Sequence, residues 1–389
     1  MRELGWVALA VLLSGCGGDR VGGSSSYDED ERPWAPDCDD GDASSGDDGS
    51  GASHAGAGGT GAGQSSGAGA EAAGGGGGSS GAPYVDGNIV RHGDGSRLVF
   101  QGTNIELLRY IDSCTTSIAG FQHEHRDELA QTFHDLGINA VRLNIGAAAF
   151  AEQPDYVGRL ADMVEAFAAQ GIYSMVSDHD HTGSDLSDHQ SSFANFSAVI
   201  EAVAGAGRSD FLIMDPYNEP GPTDWGTWEG AMKDTLDHLR ESAGFDGIVV
   251  LDTIGWATGF DAGTFDAMRD HDAALRGGEP NLVFANHWYP NIPTSGTFEK
   301  MGNAADYPLI VGEIGQINPG SSPLDPGYVA ETLDHVVSVN IPDGHNGVFP
   351  WMWQWCDENS MSDDFFTLNA FGEIANDHYY TQVPDSFAP

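Results

Sequence analysis

The sequence predicts an α/β fold, a closed (β/α)8 TIM barrel preceded by an N-terminal β-hairpin. Three observations predict it. Eight short apolar runs recur along the chain, stretches of helical periodicity separate them, and polar or charged side chains close one run after another at its carboxyl end.

The elements follow in order. Tyr84 to Val90 and Arg97 to Phe100 flank Gly93-Asp94-Gly95, a hairpin signature. Strand-like runs then lie near Val99 to Thr103, Ala140 to Asn144, Tyr173 to Ser177, Phe211 to Asp215, Ile248 to Asp252, Leu282 to Ala285, Leu309 to Val311 and Gly347 to Trp353. Continuous apolarity over a few residues is the mark of strands buried on both faces of a parallel sheet. Between them, Leu160, Met163, Val164 and Phe167 recur at helical spacing within Val157 to Ala169, and Trp228 to Leu239 is a second amphipathic stretch. An open doubly wound sheet is the rival architecture, but it usually carries a Gly-rich phosphate turn after its first strand, and Gly102-Thr103-Asn104 is not one.

Chemistry collects at the carboxyl ends of the runs, where a barrel keeps its catalytic groups. Glu219, in Asn218-Glu219-Pro220, follows the apolar run Phe211 to Met214, and Glu313 follows Leu309 to Val311. Two carboxylates delivered from different strands to one face are what retaining glycoside hydrolysis requires. One protonates the leaving oxygen and the other attacks the sugar, at a separation of roughly 5 Å. Arg142, His179, His287, Tyr289 and Trp353 stand at further strand ends.

In order along the chain come the hairpin, Gly137-Ile138-Asn139-Ala140-Val141-Arg142-Leu143, Asn218-Glu219-Pro220, His287-Trp288-Tyr289, Glu313 and Trp353. This ordered set resembles glycoside hydrolase family five, the cellulase-containing family of the retaining barrel clan, over about residues 84 to 380. The resemblance implies Glu219 as acid/base, Glu313 as nucleophile and Asn218 as a hydrogen-bond partner of the sugar 2-hydroxyl. It also implies that Arg142 and Tyr289 keep Glu313 ionised, that His287 orients Glu219, and that Trp353 forms the floor under the sugar at the cleavage point. Ser177-Asp178-His179 departs from the family's usual pattern after the third strand, so His179 is the loosest of these assignments. The implied reaction needs no metal and no organic cofactor.

Two other readings predict different behaviour. Asp178, His179, Asp180 and His181, with Asp185, Asp188 and His189 downstream, invite a metal site; yet metal-dependent barrel hydrolases start from His-x-His after the first strand, where this chain has Asn104-Ile105-Glu106. A glycan-binding barrel without turnover would bind sugar equally well after loss of Glu313. Trp225, Trp228, Trp256, Trp288, Trp351 and Trp355 offer apolar faces for sugar rings, with part of the set expected in the core. Among the family's substrates, the expectation is endo-β-1,4-glucan hydrolysis, with β-mannan and other β-glucans as alternatives.

The amino-terminal segment reads as an address and a tether. Arg2 precedes an apolar stretch from Trp6 to Leu13, too short to span a bilayer, and Leu13-Ser14-Gly15-Cys16 resembles a bacterial lipobox. Residues 1–16 are thus expected to be an export signal with Cys16 lipidated, the alternative being a plain signal with an incidental cysteine. Residues 17–82 are Gly, Ser, Ala and Asp with almost no large apolar side chain, a composition that cannot bury a core and reads as a flexible linker. Asp37 to Asp42 lacks the spaced ligands and closing glutamate of an EF-hand. Residues 83–389 then form the catalytic domain, expected to work as a monomer, exported and lipid-anchored at the bacterial outer membrane or cell surface, or extracellular. Contact with the membrane is expected through the lipid alone.

Charge and cysteines bound the partners. With 15 Lys and Arg against 59 Asp and Glu, the formal net charge is −44, so nucleic acid and anionic polymers are poor partners, no nucleic-acid partner is expected, and a neutral β-linked polysaccharide or oligosaccharide fits better. Such acidity also suits a saline habitat. Of the four cysteines, Cys114 follows the first predicted strand and Cys356 the last, neighbours in a closed barrel, so a Cys114–Cys356 disulfide is one expectation and two unpaired thiols the other.

Overall fold

A computed structural model describes residues 81–108, 112–221, 224–290, 305–316, 324–354 and 360–383. The signal, Cys16, all but the last two positions of the linker, Trp355 and Cys356 lie outside the described residues.

A two-stranded hairpin, β1 (Tyr84–Asp86) and β2 (Ile89–Arg91), precedes eight parallel strands that close into a barrel. These are β3 (Phe100–Glu106), β4 (Ala140–Ile145), β5 (Tyr173–Asp178), β6 (Leu212–Asp215), β7 (Val249–Asp252), β8 (Leu282–Trp288), β9 (Leu309–Ile314) and β10 (Gly347–Pro350). They are ordered β3 through β10 around the ring, and β10 pairs with β3 to complete it.

The barrel strands are buried along their whole length, which is why they read as unbroken apolar runs. Alternate residues serve two cores. Met175, Ile213, Val250, Val283, Ile310 and Phe349 pack inside the barrel, while Val141, Val176, Met214, Leu251, Phe284 and Val311 pack outward against the helices. The helix Tyr156–Ala169 supplies Leu160, Met163, Val164 and Phe167 to that outer layer, at the spacing read from sequence. Gly102 makes room for Phe349 inside, since a Cβ there would stand 2.1 Å from the Phe349 ring.

The hairpin covers the amino-terminal end of the barrel. Val85 and Val90 join the interior cluster, and their N–H groups donate to Asn281 Oδ1 at 2.9 Å and Asn346 Oδ1 at 2.8 Å. Its pairing differs in detail from the expectation. The first reversal is at Gly87-Asn88, with Gly87 at a φ of +67°, and the expected turn around Gly93 to Gly95 is a second reversal that leads into the Arg91–Arg97 bridge. β10 also stops earlier than expected, at Pro350 rather than Trp353.

Candidate active site

The site grows from one buried guanidinium. Arg142 points from β4 into the carboxyl-terminal end of the barrel and is completely buried. A buried charge without partners is prohibitively costly, and this one is fully engaged. Its Nε donates to Asp215 Oδ2 at 2.8 Å, Nη1 to Glu313 Oε1 at 2.7 Å and Asn104 Oδ1 at 3.2 Å, and Nη2 to Asn218 Oδ1 at 2.7 Å and Asp252 Oδ2 at 3.4 Å. Strands β3, β6, β7 and β9 and the residues that follow β6 are thereby tied to one side chain.

Glu313 reaches this guanidinium through an irregularity in β9. Ile310 faces inward and Val311 outward, so strict alternation would turn residue 313 toward the helices. Between Val311, paired with Asn286, and Glu313, paired with His287, the register shifts by one extra residue, a bulge at Gly312 that returns Glu313 to the inner face and puts Ile314 outside. Glycine is required because a Cβ at Gly312 would stand 2.7 Å from His287 Nε2. The Tyr289 hydroxyl donates to Glu313 Oε2 at 2.6 Å, so both carboxylate oxygens of Glu313 are held.

Glu219 is fixed by its backbone. It has a φ of +45°, the left-handed region that costs a non-glycine residue about 1–2 kcal/mol, so its neighbours must hold it there. Its N–H donates to Asp252 Oδ2 at 2.9 Å, its carbonyl accepts from the Gly183 N–H at 2.8 Å, and the preceding Asn218 N–H donates to the Asp178 carbonyl at 2.8 Å. The side chain of Glu219 is 15 % exposed against 3 % for Glu313. His287 stands between them, with Nδ1 2.9 Å from Glu219 Oε1 and 3.5 Å from Glu313 Oε2. One oxygen of each glutamate and a ring nitrogen of His287 all lie within 4.8 Å of one another.

Four carboxyl groups, Asp215, Glu219, Asp252 and Glu313, face two cationic side chains here. At His287 burial opposes the imidazolium, but the charges of Asp252 and Glu313 outweigh it and raise the pKa well above the ordinary histidine value. At Asp252 burial is likewise outweighed, by His287 and Arg142, and the carboxyl is held below its usual range. The other two go the opposite way. Burial, then the charge of Glu313, push Glu219 up against the pull of His287. Burial, then Asp252, push Asp215 up to about 7, because Arg142 divides its charge among three carboxylates. Burial and the neighbouring Glu313 thus both favour the protonated form of Glu219.

Comparison with known proteins gives the family and the fold. A model of the cellulase family, glycosyl hydrolase family 5, matches residues 101–359. The chain belongs to glycoside hydrolase family 5. It is 24% identical over 251 residues to a mannan endo-1,4-beta-mannosidase of Cellvibrio japonicus, covering 61% of this chain and 53% of the relative, so the chain spans about half the length of that protein. The fold is also that of solved structures. The catalytic domain of Thermobifida fusca endoglucanase Cel5A superposes with a TM-score of 0.59 at 14% identity, over 76% of this chain and 96% of that one. The catalytic domain of a mannanase from Streptomyces sp. SirexAA-E gives 0.60 at 20%, over 78% and 93%.

For this family 5 chain, the structure brings Arg142, Asn218, Glu219, His287, Tyr289 and Glu313 together at one end of the barrel, with the His179 ring nearby, 6.2 Å from that of Trp351. Trp353 is a correction. It is completely buried in the outer core, edge-on to Phe133 at 4.6 Å with Nε1 donating to the Phe365 carbonyl, and cannot form a sugar floor. Trp351 takes the position at the carboxyl end of β10 because the strand ends at Pro350. Asp215, Asp252 and Asn104 were missed, although each of the two aspartates closes an apolar run as the glutamates do. Among the described residues the metal-sized grouping is Glu219, His287 and Glu313, not the run from Asp178 to His189. Asp178 instead accepts from the Asp180 N–H and the Ser192 hydroxyl, and His181 lies between Asp178 and Asp188. Cys114 is disulfide-bonded, and its expected partner Cys356 lies outside the described residues.

Proposed function

We propose that the chain is a retaining endo-hydrolase of β-1,4-linked polysaccharide, with Glu219 as acid/base and Glu313 as nucleophile. The observation that carries this reading is the spacing of the pair: an oxygen of each within 4.8 Å, with His287 between them. Retaining enzymes keep their carboxyl groups about 5 Å apart, whereas inverting enzymes leave about 6.5–9.5 Å for a water.

Glu313, its carboxylate held by Arg142 and Tyr289, attacks the anomeric carbon while Glu219 gives its proton to the departing glycosidic oxygen. Positive charge developing on the sugar ring is stabilised by the acidic surroundings, and a covalent glycosyl ester forms on Glu313. Neutralising Glu313 removes the main charge that holds the proton on Glu219, so the carboxylate left there becomes the base for the incoming water. Water then releases the sugar with its original configuration and returns the proton to Glu219. Trp351 is the sugar floor, and Asn218, held by Arg142, is the partner of the 2-hydroxyl.

β-Mannan stands first among substrates in this proposal because the curated relative is a mannan endo-1,4-beta-mannosidase, and β-1,4-glucan, the first expectation from sequence, stands second. The proposal includes export as a monomer, a lipid on Cys16 and residues 17–82 as tether to a catalytic domain from residue 83. Reducing-sugar release by the full chain from galactomannan, glucomannan, carboxymethyl cellulose, mixed-linkage glucan, xyloglucan and xylan, beside Glu313→Gln, tests it. Activity on a mannan that the variant loses is the expected result. Turnover retained by Glu313→Gln, or no release from any polymer, would refute it.

A further inference from the structure

We infer that Trp256 is a stacking platform for the sugar on the leaving-group side of the cleaved bond, an inference that rests on the proposed hydrolytic reading. The first observation is exposure. Trp228, Trp288 and Trp353 are buried, Trp225 packs against the outer core, and Trp351 is 6% exposed, but Trp256 presents 46% of its surface.

The second is that the fold goes against backbone preference to display it. Gly255, Trp256 and Ala257 are consecutively left-handed, with φ of 67°, 61° and 52°. Two of the three carry a Cβ, a conformation that persists only when surrounding bonds impose it. Those bonds are present: the Gly255 N–H donates to the Gly221 carbonyl at 3.4 Å, Trp256 N–H to Pro220 at 3.1 Å and Ala257 N–H to Thr253 at 3.1 Å, while the Asn286 amide donates to the Ala257 carbonyl at 3.0 Å.

The third is position. Pro220, which receives the Trp256 N–H, is the residue after Glu219. The loops after β5, β6 and β7 interlock as one ledge beside the acid/base, through Gly183 N–H to the Glu219 carbonyl and Gly221 N–H to the Ser184 carbonyl, both at 2.8 Å. The indole rests on that ledge so closely that a Cβ on Gly183 would stand 2.5 Å from its Cη2. An acid that protonates the leaving oxygen faces the departing sugar. An exposed indole on the acid's own ledge therefore meets that sugar, whose C–H face suits an aromatic surface.

The test compares wild type, Trp256→Ala and Trp256→Phe on a manno- or cello-hexaose and on the matching β-glycobiosyl fluoride, whose leaving group is a single atom. Trp256→Ala is expected to lose about tenfold more kcat/KM on the hexaose than on the fluoride, with Phe recovering most of the difference. Transglycosylation to added oligosaccharide should fall with it. Equal losses on both substrates, which a structural role would give, or no loss on either, would overturn the inference. A wild type that cleaves neither would overturn the hydrolytic reading and the inference together.

Discussion

Arg142 and His287 set the proton inventory of the site. Because Glu219 is raised by burial and by Glu313 and lowered by His287, its two neighbours are expected to move it in opposite directions. Glu313→Gln removes a negative charge, so the Glu219 pKa should fall; His287→Ala removes a positive one, so it should rise. Carboxyl titration by carbon-detected NMR checks both signs, and a shift in the same direction for both variants would refute the assignment. The same raised pKa sets the alkaline limb of activity: as pH climbs through it, Glu219 loses the proton that the leaving group needs, and kcat/KM should decline. At this scale the glutamates were legible because an isolated acid after an apolar run is conspicuous. Asp215 and Asp252 follow the same grammar, and escaped only because no motif surrounds them.

Where an element ends decides which of two neighbouring tryptophans is left for the sugar in the proposed site. Seven residues from Gly347 to Trp353 read as one strand, but β10 ends at Pro350, so Trp351 follows the strand with its ring 6.2 Å from that of His179, while Trp353 turns into the outer core against Phe133. Trp353→Ala is expected to cost about 3–5 kcal/mol of stability by leaving a cavity in the core. Trp351→Ala, at a position only 6% exposed, should also cost stability but in addition lose about ten- to a hundredfold in kcat/KM of the folded enzyme, as a lost sugar contact would. Denaturant melts and kinetics on the two variants separate these effects, and a reversed pattern would restore Trp353 to the site. The orientation of Glu313 was illegible for a related reason. Strand periodicity points it outward, and only the pairing shift at Gly312, invisible in a single strand, turns it in. Strand positions themselves were read to within a few residues, since burial on both faces leaves an unbroken apolar signature.

For the whole molecule, closure of the barrel makes β3 and β10 neighbours, which is what placed Cys114 and Cys356 within reach of each other on the expected topology. Cys114 is disulfide-bonded, and a bridge of this kind typically contributes about 2–4 kcal/mol. Reduction under native buffer should lower the melting temperature, and peptide mapping should return Cys114 linked to Cys356; an unshifted melt or a different partner would contradict that pairing. The acidity of the chain was fully legible, because net charge is a sum over residues and needs no fold. Substrate identity was not, because the buried cluster of Glu219, Glu313 and Arg142 carries nothing that separates one β-linked sugar from another.

Double displacement between Glu219 and Glu313, as proposed, leaves its mark on the stereochemistry of the first product. Proton NMR of a polysaccharide or hexaose digest, recorded before mutarotation, should show the β-anomer of the new reducing end appearing first, with the α-anomer growing in afterwards. The α-anomer appearing first would mean inversion, and would contradict the covalent role given to Glu313.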